Sequence, residues 1–198
     1  MNPSKAVTAM ALYLLVAAAP AQTFSGRFDD PANPALVGAD LGAAAFGDAG
    51  DVANNVALYS FTVAALGTVN FASTGFEAGG ADPYFSLFKG TGGAATFLLS
   101  NYDQAFSTGG DFAISAALAP GAYQLAMGTF ANLSFAENSG SGTLADGFTG
   151  LGGSGFLGNA RYSLNVSSNP VPEPATWALL ALGLAAVSAW QRRLMTRQ

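Results

Sequence analysis

The residues of this chain best suited to chemistry are carboxylates and their amide neighbours. Asp82, Asn101 and Asp103 stand beside turn residues between apolar runs. Calcium takes six to eight oxygens from Asp, Asn and backbone carbonyls, so these three are the candidate ligands of a structural calcium ion. Asp29, Asp30 and Asp51 form a second group. Neither group has the spacing of an EF-hand loop, and Asp and Asn at such places also close Asx turns. Paired carboxylates would serve a glycosidase only at a fixed separation across a sugar cleft, which the spacing does not supply. Tyr84, Tyr102, Phe106, Phe148 and Phe156 lie in or near loops and are candidates for a sugar-stacking platform. Gly150 to Gly155 reads G-x-G-x-x-G in a stretch crowded with glycine, but Phe156-Leu157-Gly158-Asn159 leads into a strand. A phosphate site needs a helix N-terminus there, so the stretch is read as a long flexible loop.

Composition closes most other chemistries. The 198 residues include no Cys and no His, with seven basic and twelve acidic residues. Thiol nucleophiles, thiolate metal sites, imidazole ligands and a Ser-His-Asp triad are therefore excluded. The acidic balance argues against nucleic acid, which selects a basic face. No catalytic residue is assigned, and a non-enzymatic protein without a cofactor is expected, structural calcium excepted.

The elements that would position these groups are strands. Tyr59, Phe61 and Val63 alternate with Leu58, Ser60 and Thr62, Val69 and Phe71 with Thr68 and Asn70, and Phe85 and Leu87 with Ser86, while Phe112, Ile114, Ala116 and Leu118 share one face. Tyr123, Leu125 and Met127 continue the pattern, followed by Tyr162, Leu164 and Val166. A period of two in short runs split by turns predicts an all-β, antiparallel, jelly-roll-like sandwich over 22–166. Ala119-Pro120-Gly121-Ala122 suits a type II turn and is expected to join 112–118 and 122–128 as a hairpin. Ala35 to Phe46 is a weak helix candidate, opposed by its glycines. From 22 to 169 there are three basic and eleven acidic residues, a net charge of −8.

The two ends read as addresses. Lys5, the apolar run Ala6–Ala19 and the small-x-small pair Ala19 and Ala21 predict a signal peptide over 1–21, cleaved before Gln22 by signal peptidase. Ser167 to Pro174 reads as a polar, proline-stiffened linker. Ala175 to Trp190 is sixteen residues without a charge, followed by Gln191-Arg192-Arg193. A helix of sixteen residues spans about 24 Å, short of the roughly 30 Å hydrocarbon core. Trp177, Trp190 and the arginines would cover the difference. A transmembrane helix over 175–191 with a basic cytoplasmic tail over 192–198 is expected.

Pro172-Glu173-Pro174, the apolar helix and Arg192-Arg193 together resemble the PEP-CTERM sorting signal of Gram-negative exoproteins. The resemblance implies an inner-membrane precursor recognised by exosortase, a membrane cysteine transpeptidase. It also implies a body released or attached at the cell surface or in extracellular polysaccharide, with a structural or adhesive part in biofilm. Those five residues are then substrate, not catalyst. In a bacterial exoprotein the sequons at Asn132 and Asn165 are read as chance. The body is similar to bacterial pre-peptidase C-terminal domains through Val56–Val63, Gly80–Phe88, Asn101-Tyr102-Asp103, Leu118–Tyr123 and Leu144–Phe148. Members of that family often carry Asp-Asp after the third of these strands, where this chain has Asn101-Tyr102-Asp103. A calcium-dependent carbohydrate-binding module is the alternative that this resemblance leaves open.

Overall fold

The computed structural model describes residues 21–30, 32–36, 55–104, 110–138, 141–151, 159–170 and 174–195. They belong to two bodies, a strand-built one within 19–171 and a C-terminal helix. The described strands are β1 (Gln22–Arg27), β2 (Ala57–Val63), β3 (Gly67–Ser73), β4 (Pro83–Lys89), β5 (Thr96–Ser100), β6 (Ala113–Leu118), β7 (Gly121–Thr129) and β8 (Arg161–Pro170). Two single helical turns, α1 (Asn101–Gln104) and α2 (Phe135–Asn138), interrupt them, and the C-terminal helix is α3 (Pro174–Met195).

All pairings are antiparallel. One sheet runs β1-β8-β3-β6 and the other β2-β7-β4-β5. Strand one therefore pairs with eight, two with seven, three with six and four with five. That nesting is a long folded ribbon rolled into two four-stranded sheets, the jelly-roll arrangement. The sheets form because alternate residues are apolar: β3 buries Val69, Phe71 and Ser73 and leaves Thr68, Asn70 and Ala72 half-buried. The inward faces meet in one core of Phe61, Val69, Phe71, Phe85, Leu87, Phe112, Leu125, Met127, Leu164 and their neighbours. Rings chain through it, with Phe71 at 5.0 Å from Phe85 and Phe85 at 5.4 Å from Phe112. Each such pair adds about 0.5–1.5 kcal/mol beyond the area it buries.

Four features depart from the sequence reading. β6 and β7 do not form a hairpin; β6 pairs with β3 in one sheet and β7 with β2 and β4 in the other. Ala119-Pro120 carries the chain between layers, and the Tyr123 hydroxyl donates to the Ala119 carbonyl at 2.7 Å to hold the corner. The polar hinge expected from Ser167 is strand, since β8 runs on to Pro170 and pairs with β3 as far as Gly67. Pro170 is tolerated because it ends the strand. Of the glycine-rich stretch, 152–158 lies outside the described residues; the part that is described, 141–151, is not loose. Leu144 and Phe148 are buried there with Val56, Phe88, Ala95 and Ala126 in a second apolar cluster. This cluster lies on the outer side of the β2-β7-β4-β5 sheet, which is why β4 is buried on both faces from Pro83 to Phe88. Finally, α3 forms over and beyond the expected span, but among the described residues no helix is long and apolar enough to cross a membrane. The transmembrane reading of 175–191 therefore does not stand on this helix alone. Thr176, Gly183 and Ser188 dilute its apolar run, and Gln191-Arg192-Arg193 ends it.

Two strands were missed in the sequence. β1 has a single large apolar inward residue, Phe24, and β5 is five residues long. The helix candidate at Ala35–Phe46 falls almost wholly outside the described residues. Of its two described residues, Ala35 accepts at its carbonyl from the Leu58 amide and Leu36 makes an isolated bridge to Ala57.

Candidate functional site

The expected calcium ligands are placed by the β4 and β5 ends. Asn101 follows β5 and is 3% exposed. Its Oδ1 accepts from the Phe85 amide at 2.7 Å, and its Nδ2 donates to the Pro83 carbonyl at 3.0 Å. The amide thus completes the β4 backbone beside Asp82, so both of its ends are occupied by protein. Asp82 Oδ1 accepts from the Gly110 amide at 2.7 Å. The side chain of Asp103 lies outside the described residues. Among the described residues no group of three or more carboxylates gathers around a metal-sized space. In the second group, Asp29 chelates Arg27, with Nε donating at 2.8 Å and Nη2 at 2.5 Å. That pairing raises the Arg27 pKa above its ordinary value. Asp30 Oδ1 accepts from the Ala32 amide at 2.9 Å, and Asp51 lies outside the described residues.

The proposed sugar platform is not assembled. Tyr84 and Phe148 are 1% and 6% exposed, so neither ring face is available for stacking. Tyr102 is exposed, while Phe106 and Phe156 lie outside the described residues. Asn132 is buried and spent on its own turn, where its Oδ1 accepts from the Thr129 amide and its Nδ2 donates to the Thr149 carbonyl.

Two polar assemblies escaped the sequence reading. Under the outer cover, Glu137 of α2 accepts from Tyr84 at 2.5 Å and from Ser100 at 2.7 Å. The Tyr84 hydroxyl in turn accepts from the Ser134 amide at 3.2 Å. Burial, then the bond to Glu137, pushes the Tyr84 pKa up. In the other layer Asn33 Nδ2 donates to the Tyr162 hydroxyl at 2.8 Å, which lies 2.7 Å from the Tyr59 hydroxyl. Burial and that bond to Tyr59 likewise raise Tyr162. Partners 37 to 129 residues apart leave no local signal to find.

A groove of about 790 Å³ opens at the β1–β8 end, lined among others by Ser25, Arg27, Asp30, Asn33, Thr74, Asn159, Arg161 and Ser163. Arg27 stands directly opposite Arg161, and Ser25 opposite Ser163. Like charges opposed across two strands repel; here Asp29 neutralises one of them. Arg161 makes no ion pair among the described residues.

The sorting residues sit at the other body. Pro172 and Glu173 lie outside the described residues, and Pro174 is the first residue of α3, where a proline costs no hydrogen bond. Arg192 and Arg193 occupy the last turns and complement the helix dipole. Leu179, Leu182, Leu184, Val187 and Trp190 of this helix are all more than half exposed. Of the signal-cleavage residues, Ala19 lies outside the described residues, Ala21 precedes β1 and Gln22 begins it. The PEP-CTERM protein-sorting motif matches residues 170–193. The chain therefore carries the sorting signal of a secreted protein targeted to exosortase. No curated protein matches the chain.

Proposed function

We propose that this chain is a non-enzymatic exported cargo. Its signal peptide over 1–21 takes it across the inner membrane, and exosortase then cuts it at the Pro172-Glu173-Pro174 end. The jelly-roll body goes on to work at the cell surface or within extracellular polysaccharide, as a structural or adhesive component of biofilm. The observation that carries this reading is the match over 170–193, with the tripeptide, the helix and Arg192-Arg193 in order. The exposed helix supports it. An α-helix apolar on every side finds its partner in lipid or in another protein. A span too dilute to cross alone suits a transient stay, in which the exosortase supplies part of the apolar surroundings and the arginines remain cytoplasmic.

The test replaces Pro172 and Glu173 by Ala in a strain with a working exosortase. Expected is a precursor that keeps α3 and stays with the inner membrane, against a wild-type chain that appears outside without it. Mass spectrometry of exported wild-type protein that still contains Leu179 to Arg193 would overturn the reading.

A further inference from the structure

The four strands of the β1-β8-β3-β6 sheet contain no carboxylate, although eleven acids stand between residues 22 and 169. Their outward rungs are short and polar: Thr23–Asn165–Ala72–Ala113 in one row and Ser167–Asn70–Ser115 in another. Two of the body's three basic residues, Arg27 and Arg161, occupy one further rung together at the rim of the groove. A body that repels anions over most of its surface thus keeps the strands of one face free of carboxylates; at the groove Asp29 offsets Arg27 and Asp30 joins the lining, which leaves Arg161 as the cation without an ion pair among the described residues.

The groove has the size of a ligand pocket rather than of an ion site. Ser25, Thr74, Asn159 and Ser163 present hydroxyls and an amide to it, which match a polyol. The exposed guanidinium of Arg161 presents a planar fork that suits a carboxylate through two parallel bonds. Tyr162 offers its edge polar group to Asn33 and Tyr59 and is buried, so no ring face is open to a nucleobase.

We propose that this groove binds a saccharide bearing a uronic acid, with Arg161 holding the carboxylate and the Ser25–Ser163 rung meeting the ring hydroxyls. Arg27 is neutralised by Asp29 and so does not compete for the ligand, and Asp30 in the same lining accepts from the Ala32 amide. The proposal rests on the reading that the exported body works among extracellular saccharides, and it names the chemistry of the saccharide. Its test does not depend on sorting. Full-length protein in detergent micelles is titrated by calorimetry with tetragalacturonate, with cellotetraose and with citrate. Expected is binding of tetragalacturonate alone, weakened at least tenfold by Arg161→Gln and by less in Arg161→Lys, which keeps the charge but loses the planar fork, with the melting temperature unchanged in both. No heat with tetragalacturonate, equal heat from cellotetraose or citrate, or wild-type binding by Arg161→Gln would each overturn the proposal. Retention of the Pro172/Glu173 variant in the membrane would be unaffected by any of these outcomes.

Discussion

The two sheets share a core and differ on their outer faces. Over β2-β7-β4-β5 the described segments 130–138 and 141–151 fold back and bury a second apolar cluster around Phe88, Leu144 and Phe148. Over β1-β8-β3-β6 the rungs are Ser, Thr, Asn and Ala, with Arg27 and Arg161 sharing one, half-buried or exposed. One face is closed by apolar burial and a pinned carboxylate; the other, among the described residues, has no such cover, and its strands carry no acid. A fold that needs only one apolar face per sheet can add a cover to either. Placing it on one side leaves the other side for contact with whatever the exported body meets.

The largest effect should come from the shared core. Phe85 is fully buried between Phe71 and Phe112, so Phe85→Ala should cost about 3–5 kcal/mol and unfold both sheets together in denaturant titrations. Leu144→Ala, in the cover, should cost about 2–3 kcal/mol. Its signature should be local: amide hydrogen exchange should quicken first at 141–149 and only later in β3 and β8. Uniform quickening would show that the cover and the core are one cooperative unit, and the contrast between the two faces would lose its energetic meaning.

How much of this was legible depended on whether the controlling contact was local. Every inward strand face read from alternation is inward: Phe61 and Val63, Val69 and Phe71, Phe85 and Leu87, Leu125 and Met127, Leu164 and Val166 all reach the core. Alternation fixes a face, not a neighbour. That is why Pro120-Gly121 looked like a hairpin turn but joins two layers: the same bend serves either, and β6 pairs with β3 residues 41 to 51 positions earlier in the chain. Glycine content misled in the same way at 141–151, because Leu144 and Phe148 outweigh the flexible backbone once a sheet lies under them. The sorting signal was legible because its recognition lies in a linear pattern. The groove was not, since Arg27 and Arg161 become neighbours only through β1–β8 pairing.

The pinned carboxylate under the cover allows a smaller and pH-dependent test. Tyr84→Phe leaves Glu137 with one donor fewer and should cost about 1–3 kcal/mol. The raised pKa of Tyr84 sets the direction with pH. The native state keeps its phenol proton where the unfolded chain, with an ordinary value of 10.0, releases it. Its contribution is therefore complete below pH 10 and is lost as pH rises above that. Stability should then fall by about 1.4 kcal/mol per pH unit for this tyrosine. The Tyr84→Phe variant should show a shallower alkaline decline, read from urea midpoints between pH 9 and 11.5. Equal slopes in the two proteins would mean that the cover opens before Tyr84 ionises.

The smallest effect belongs on the bare face, and it decides whether that face is idle or structural. Ser163→Ala removes a half-buried hydroxyl from the Ser25–Ser163 rung without touching the core residues Tyr162 and Leu164 on either side. Surface changes of this kind stay within about 0.5 kcal/mol, so the urea midpoint should not move. Thr23→Ala sharpens the point, because it breaks a real bond, the 2.7 Å donation from the Thr23 hydroxyl to Asn165 Oδ1. That bond joins exposed groups that water satisfies equally well. If either change lowers the midpoint as much as Leu144→Ala, the polar rungs are holding the sheet together. Their freedom from carboxylates would then need no ligand to explain it.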